Sequence, residues 1–277
     1  LPTLVAALRG THRPVTVLDV RTRPEALAGC HRAVAAGAAA VVALGGDGTV
    51  HLALQALATT GVALGIVPAG TGNDFAVAVG VSPDPATATT RLATAMAAGT
   101  VRPIDLGRID GAGSATRWFG AVFSAGFDAV VNERANRMTF PRGPRRYDLA
   151  TLVELAGLRA RDYRLRLDGV TQPVAAVLVA VGNTSSFGGG MRICPDADTT
   201  DGQLDVVIGH RMGRATLIGL LPQVYRGEHV HHPLVTVARA ATVEVHVDAV
   251  TAYADGERIA ALPLTLTCVP GALTLLT

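Results

Sequence analysis

The sequence contains no lysine; all 24 of its basic residues are arginine. That excludes amine chemistry, including the Walker A phosphate loop, which needs a lysine. Arginine must supply any positive charge a site demands, and by position Arg21, Arg23 and Arg192 are the candidates. Cysteine is scarce. Cys30, Cys194 and Cys268 are odd in number and far apart, which fits neither a disulfide framework nor a zinc site and points to a reducing compartment. No apolar run approaches the roughly 18 residues of a spanning segment, and the start lacks the charged-then-apolar pattern of a signal peptide. A cytoplasmic protein is expected. The first residue is Leu1 rather than Met, so an element ahead of it is expected to be missing.

What is present describes an ordinary folded chain: 277 residues, 49% hydrophobic, 17% charged, net charge +2. That length allows one or two domains. Neither a nucleic-acid reader motif nor a platform of interleaved aromatics occurs, so no nucleic-acid partner is expected.

The first hundred residues alternate between strand and helix patterns. Val15 to Val20 is a short β-rich run, Pro24 to Gly37 has helical composition, and Ala38 to Leu44 is a continuous apolar run like a strand buried on both faces. A helical stretch ending at Gly61 follows, then the strand pattern VALGIVP at 62–68, a helix starting near Asp84 to Thr87 and an exit strand near residue 101. This alternation predicts an α/β domain over 1–104 with a parallel sheet flanked by helices, its ligand at the carboxyl ends of the strands. From residue 105 to 277 short alternating runs separated by turn residues predict a β-rich antiparallel sandwich domain. A helical insertion is expected over 128–160. The last strand, from Leu262 to Thr277, is assigned to the second domain with a return to the first left open.

Two glycine clusters carry the chemistry. Gly45-Gly46-Asp47-Gly48-Thr49 ends one apolar strand and opens a helix. Glycines there let the backbone approach a phosphate, and free N–H groups at the helix start attract its charge. A plain strand-to-helix turn with Asp47 as N-cap would use the same residues. The second cluster, PAGTGNDFA at 68–76, repeats the arrangement after the next buried strand, with Thr71, Asn73 and Asp74 offering hydroxyl, amide and carboxylate. An Asx turn is its simpler reading; two such loops at neighbouring strand ends would grip one ligand from both sides.

GGDGTV followed by PAGTGNDFA resembles the diacylglycerol kinase catalytic domain family, which includes the sphingosine and ceramide kinases and shares its nucleotide-binding fold with NAD kinases and phosphofructokinases. The resemblance continues through IDLG at 104–107, SAGFDAVV at 124–131, GNTSSFGGGMRICPDADTTDGQLDVV at 182–207 and YADGERI at 253–259, and is closest to the bacterial branch. It implies an ATP-dependent lipid kinase acting on a diacylglycerol-like lipid. Gly45, Gly46, Asp47, Gly48, Thr49, Val50 and His51, with Gly70, Thr71, Gly72, Asn73 and Asp74, are then the expected nucleotide site, and Thr22 a further nucleotide contact. Glu257 is the implied general base and Asp47 the second candidate catalytic carboxylate, although Asp255-Gly256-Glu257 also reads as a hairpin turn. Asp128 is expected to orient the substrate hydroxyl. A structural magnesium is implied at Asp201 with the carbonyls of Asp198 and Gln203, and a catalytic one with the ATP phosphates near Asp47 or Asp74.

The chain departs from the family pattern in two places. His51 is followed by Leu52 where the family has Asn-Glu or His-Glu, and no Asn-Pro-x-Ser/Thr-Gly loop occurs near the start. An NAD kinase-like enzyme and a noncatalytic nucleotide or lipid sensor are the alternatives. Residues 132–166 hold nine arginines against Glu133, Asp148, Glu154 and Asp162, which predicts contact with the inner face of an anionic membrane; homodimerisation is left open. His210, His229, His231 and His232 lack cysteine or carboxylate partners in sequence and are expected in an exposed loop rather than at a metal.

Overall fold

The computed structural model describes residues 1–111, 113, 115–127, 131, 134 and 157–277, which fall into two units. One comprises residues 1–106, 199–202 and 269–277, the other 107–198 and 203–268.

In the first unit β1 (Ala40–Gly45) and β2 (Ala63–Pro68) run parallel, in register from Ala40↔Ala63 to Gly45↔Pro68. Every residue of β2 is buried, which is why its sequence shows no alternation. On its other side β2 pairs in parallel with the end of β13 (Leu264–Leu276), at Thr274 and Leu275. Two of the helices start at a side-chain cap. Thr22 Oγ1 accepts the Glu25 N–H at 3.3 Å at the start of α2 (Arg23–Ala35), and the Glu25 carboxylate reaches back to the Arg21 N–H at 2.9 Å, a variant of the capping box. Asp84 takes the Thr87 N–H at 2.8 Å to begin α5 (Pro85–Ala98), which Gly99 closes at φ 70°. α3 (Asp47–Leu57) buries Val50, Ala53, Leu54 and Leu57 at helical spacing. α1 (Pro2–Arg9) contributes Leu4 and Leu8 to a cluster with Val67, Leu92 and Ala95, and each such leucine is worth about 1.5–3 kcal/mol.

One expected strand does not form. Residues 15–20 join no ladder among the described residues, with Val17 45% and Leu18 39% exposed. A β-branched run becomes a strand only when a neighbour takes up its backbone groups, and β1 makes its described pairing with β2.

The second unit is antiparallel. β7 (Val170–Gly182) pairs with β5 (Val122–Gly126), β6 (Arg161–Leu167) and β8 (Leu204–His210). From these the ladder extends to β9 (Val235–Ala240), β10 (Thr242–His246), β11 (Thr251–Ala254) and β12 (Glu257–Ala261). Alternation now decides burial: on β6, Tyr163 and Leu165 are buried while Asp162, Arg164 and Arg166 are exposed. The inward residues, including Phe119, Phe123, Leu165, Ile208, Val243 and Leu266, make one core. β3 (Val101–Asp110) begins in the first unit and pairs with β4 (Arg117–Phe119) in the second. An α/β unit with a parallel sheet followed by an antiparallel β-rich unit is the class expected from the sequence.

Most of the expected helical insertion, and Asp128 with it, lies outside the described residues. The second unit also holds a helix that the patterns did not indicate, α6 (Arg214–Arg226). The histidine-rich segment after it is not simply an exposed loop. His229 is 3% exposed, and its Nε2 lies 3.1 Å from the Ile193 carbonyl. Burial lowers its pKa, the Ile193 bond opposes that, and nearby His231 adds to the lowering; the ring packs as a core residue.

Candidate active site

β1 and β2 end side by side, and the Ala69 N–H donates to the Gly45 carbonyl at 2.9 Å, so the two glycine turns leave the sheet together. Their backbones touch. A Cβ on Gly70 would stand 2.5 Å from Gly46 Cα, and one on Gly46 would stand 3.1 Å from Gly70 Cα. Only glycine permits that approach.

Asp47 fastens the second loop to the first. Its Oδ2 accepts the Asn73 N–H at 2.8 Å and its Oδ1 the Phe75 N–H at 3.2 Å, so it caps α4 (Asp74–Ala78) from 26 residues away in the chain. Burial pushes the Asp47 carboxyl above the usual range; the Phe75 N–H opposes this, and the neighbouring Asp74 charge raises it further. The two helix starts therefore differ. Asp47 occupies the α4 terminus, whereas α3 begins at Gly46 with no side-chain cap. An uncapped start with a positive dipole end, lined by glycines, suits a phosphate.

Within the second loop Asn73 adopts φ 61°. Its Oδ1 accepts the Gly70 N–H at 3.1 Å and its Nδ2 donates to the Gly70 carbonyl at 2.9 Å. The Asn73 amide thus shapes the turn itself. Thr49, Thr71 and Gly72 lie exposed at the turns, Asp74 is buried, and Gly48 is half-buried. Val50 and His51 are buried in α3, with His51 beside Gln55, so a ligand at this turn meets their backbone. Thr22 is the cap of α2.

In the second unit β11 and β12 are joined by Asp255 and Gly256, at φ 50° and 78°, a two-residue hairpin turn with Ala254 opposite Glu257. The hairpin reading of Asp-Gly-Glu was right as geometry. It also fixes where Glu257 starts. The Asp255 carboxylate accepts the Gly120 N–H at 2.9 Å and the Ala121 N–H at 2.8 Å. Asn183 holds the same segment, its Nδ2 donating to the Gly120 carbonyl at 2.8 Å and its N–H to the Ala121 carbonyl at 2.8 Å. Glu257 is half-buried.

Asp198, Asp201 and Gln203 occupy one irregular turn containing Gly202 at φ 72°. Part of it is anchored by buried Asp105, whose carboxylate accepts the Gly202 and Gly271 N–H groups, both at 2.8 Å, while the Asp105 N–H donates to the Thr199 carbonyl at 2.7 Å. Among the described residues no group of three or more His, Cys, Asp or Glu side chains gathers as a metal cluster. One carboxylate with two backbone carbonyls is nevertheless an all-oxygen set suited to a hard cation. Sequence reasoning gave no role to Asp105, Asn183 or, beyond the turn, Asp255. Each lies in a quoted motif, but its partners are backbone groups far along the chain.

Residues 1–109 match the diacylglycerol kinase catalytic domain, and residues 121–277 match the YegS C-terminal NAD kinase beta sandwich-like domain. A diacylglycerol kinase of Mycobacterium tuberculosis is 45% identical over 245 residues, 88% of this chain and 78% of the relative. One of Bacillus subtilis is 29% identical over 227 residues, 80% of this chain and 72% of the relative. The fold superposes on the crystal structure of a diacylglycerol kinase from Bacillus anthracis str. Sterne with a TM-score of 0.71 at 20% identity, covering 100% of this chain and 88% of that one. An NAD kinase from Archaeoglobus fulgidus in complex with ATP gives a TM-score of 0.56 at 12% identity, covering 100% and 88%, a likeness of fold alone.

Proposed function

Because the chain belongs to the diacylglycerol kinase family and is a lipid kinase, we propose that it transfers the γ-phosphate of ATP to the free hydroxyl of a diacylglycerol-like lipid, with Glu257 as general base. The observation that carries this is the pair of glycine turns in backbone contact beside the uncapped start of α3. A side chain at either glycine would force the two turns apart, and with them the backbone N–H groups that a triphosphate would bind. With no lysine in the chain, backbone N–H groups, the helix dipole and arginine are the positive partners left for the phosphates.

Glu257 takes the proton from the lipid hydroxyl, the freed oxygen bonds to the γ-phosphorus, the bond from that phosphorus to its bridging oxygen breaks, and ADP departs. Asp47 acts one step removed, as a positioning residue: it holds the second loop against the first. Magnesium bound with the nucleotide would neutralise phosphate charge. Asp47 or Asp74, at the two helix starts, would hold it beside the phosphates. Asp201, with the carbonyls of Asp198 and Gln203, would hold a structural ion.

Glu257→Gln tests the assignment. ATP affinity by calorimetry should stay unchanged while phosphoryl transfer falls roughly 10²–10⁴-fold; full turnover by the variant would remove Glu257 as base. Radiolabelled ATP offered with a total lipid extract and, in parallel, with NAD identifies the acceptor. Label appearing on NAD and on no lipid would overturn the substrate class.

A further inference from the structure

Helix α6 presents an apolar face that the fold leaves outside. Its buried residues are Leu217 and Leu220, whereas Ile218 and Tyr225 are 50% and 53% exposed. Positions 214, 218, 222 and 225 recur at i, i+4, i+8 and i+11 and so share one side of the helix. That side reads Arg214, Ile218, Pro222, Tyr225, all exposed. Residues 211–228 contain three arginines, Arg211, Arg214 and Arg226, and a single acid, Glu228. Glu228 pairs with Arg226 at 2.7 Å, both side chains more than half exposed, an arrangement worth little. A surface helix of a soluble fold ordinarily turns charge outward; this one turns out isoleucine, proline and tyrosine between basic ends.

We propose that α6 is a membrane-docking helix, lying in the headgroup layer of an anionic bilayer with Ile218 and Tyr225 inserted and Arg211, Arg214 and Arg226 at the lipid phosphates. The charge pattern selects this occupant. A helix with no acid inside it and arginine at both ends complements a negative surface, whereas a second copy laid antiparallel would set Arg214 against Arg226. Tyrosine favours the interface, where its ring is buried and its hydroxyl wetted, and arginine stems lie along apolar surface while their heads reach phosphate. At 13 residues the helix spans only about 20 Å. Among the described residues no helix is long and apolar enough to cross a membrane, and an in-plane seat needs no such length. A kinase whose acceptor sits in a bilayer gains local access to it, but the docking itself does not depend on which lipid is phosphorylated.

The test is co-sedimentation of the full chain with vesicles of equal parts phosphatidylcholine and phosphatidylglycerol, against phosphatidylcholine alone. Wild type should pellet with the anionic vesicles and release in high salt. The double variant Ile218→Ser/Tyr225→Ser should partition on the order of tenfold more weakly, and Arg211→Gln/Arg214→Gln should lose several-fold on anionic vesicles. Both variants should phosphorylate a short-chain, detergent-dispersed diacylglycerol at the wild-type rate, which shows that they are folded. The serine variant pelleting like wild type would overturn the proposal, as would a wild-type dimer in sedimentation velocity that the same variant splits. Should wild type phosphorylate no lipid at all, the kinase reading falls, while the pelleting result still decides the docking.

Discussion

Gly70→Ala is the sharpest perturbation of the nucleotide cradle, because its consequence can be worked from one distance. The new Cβ would stand 2.5 Å from Gly46 Cα. Ordinary contacts begin at about 3.4 Å, so the two turns must part by roughly 1 Å, and backbone cannot swing aside as a side-chain tip can. Overpacking of this kind costs about 1–3 kcal/mol in stability. A displacement of about 1 Å at a phosphate-positioning element costs on the order of 10²-fold in rate, about 2.7 kcal/mol. Gly46→Ala is the graded comparison, since its Cβ would lie 3.1 Å from Gly70 Cα and needs only a few tenths of an ångström. Gly213→Ala, where nothing lies within 4 Å, is the control. Calorimetry with a nonhydrolysable ATP analogue, with kcat/KM for lipid phosphorylation, should rank the losses Gly70→Ala, then Gly46→Ala, then the control near zero. Equal effects at Gly70 and Gly213, with the protein folded, would refute the claim that the two turns form a single phosphate cradle.

Other outcomes follow from buried carboxylates. Asp105→Ala strands two N–H groups, those of Gly202 and Gly271, and should cost about 2–4 kcal/mol in urea denaturation, with Asp105→Asn losing less; an unchanged midpoint for the alanine variant would show that the anchor is dispensable. Asp205 is 3% exposed, and its carboxyl is pushed up to about 6, first by burial and then by the charge of Asp196. Arg239 Nε at 3.5 Å opposes this from a partly exposed position. A raised carboxyl means that the folded chain keeps a proton the unfolded chain has already released, so stability falls as pH rises from about 4 to about 6 and is level above that. The whole difference is at most about 3 kcal/mol. Asp205→Asn should flatten that slope in denaturant midpoints measured from about pH 4 to 8; an identical slope would assign the pH dependence elsewhere.

Much of the fold was legible because its causes are local. The unbroken apolar run of β2 announces a strand buried on both faces, and Asp84 and Gly99 bracket α5 with the residues that start and stop helices. Residues 15–20 misled for the complementary reason: local β-propensity was present, but a strand also needs a neighbour. α6 was missed because Gly213 gives its start no side-chain cap, Pro222 interrupts its interior and its outer face is apolar rather than polar. The glycine turns could be read as a phosphate site or as plain connections.

By itself the sequence determined β1, β2 and the helices beside them, where glycine must stand, and which family motifs appear in order. Tertiary structure alone decided what the acids do. Asp47 meets Asn73 and Phe75, Asp255 meets Gly120 and Ala121 across 135 and 134 residues, and Asp105 meets Gly271 across 166. Each partner is a backbone N–H, a group that every residue but proline carries and that leaves no mark in the sequence. A carboxylate's own identity is written in the chain, but whether it holds a loop, a metal or a proton depends on which of those N–H groups the fold brings to it.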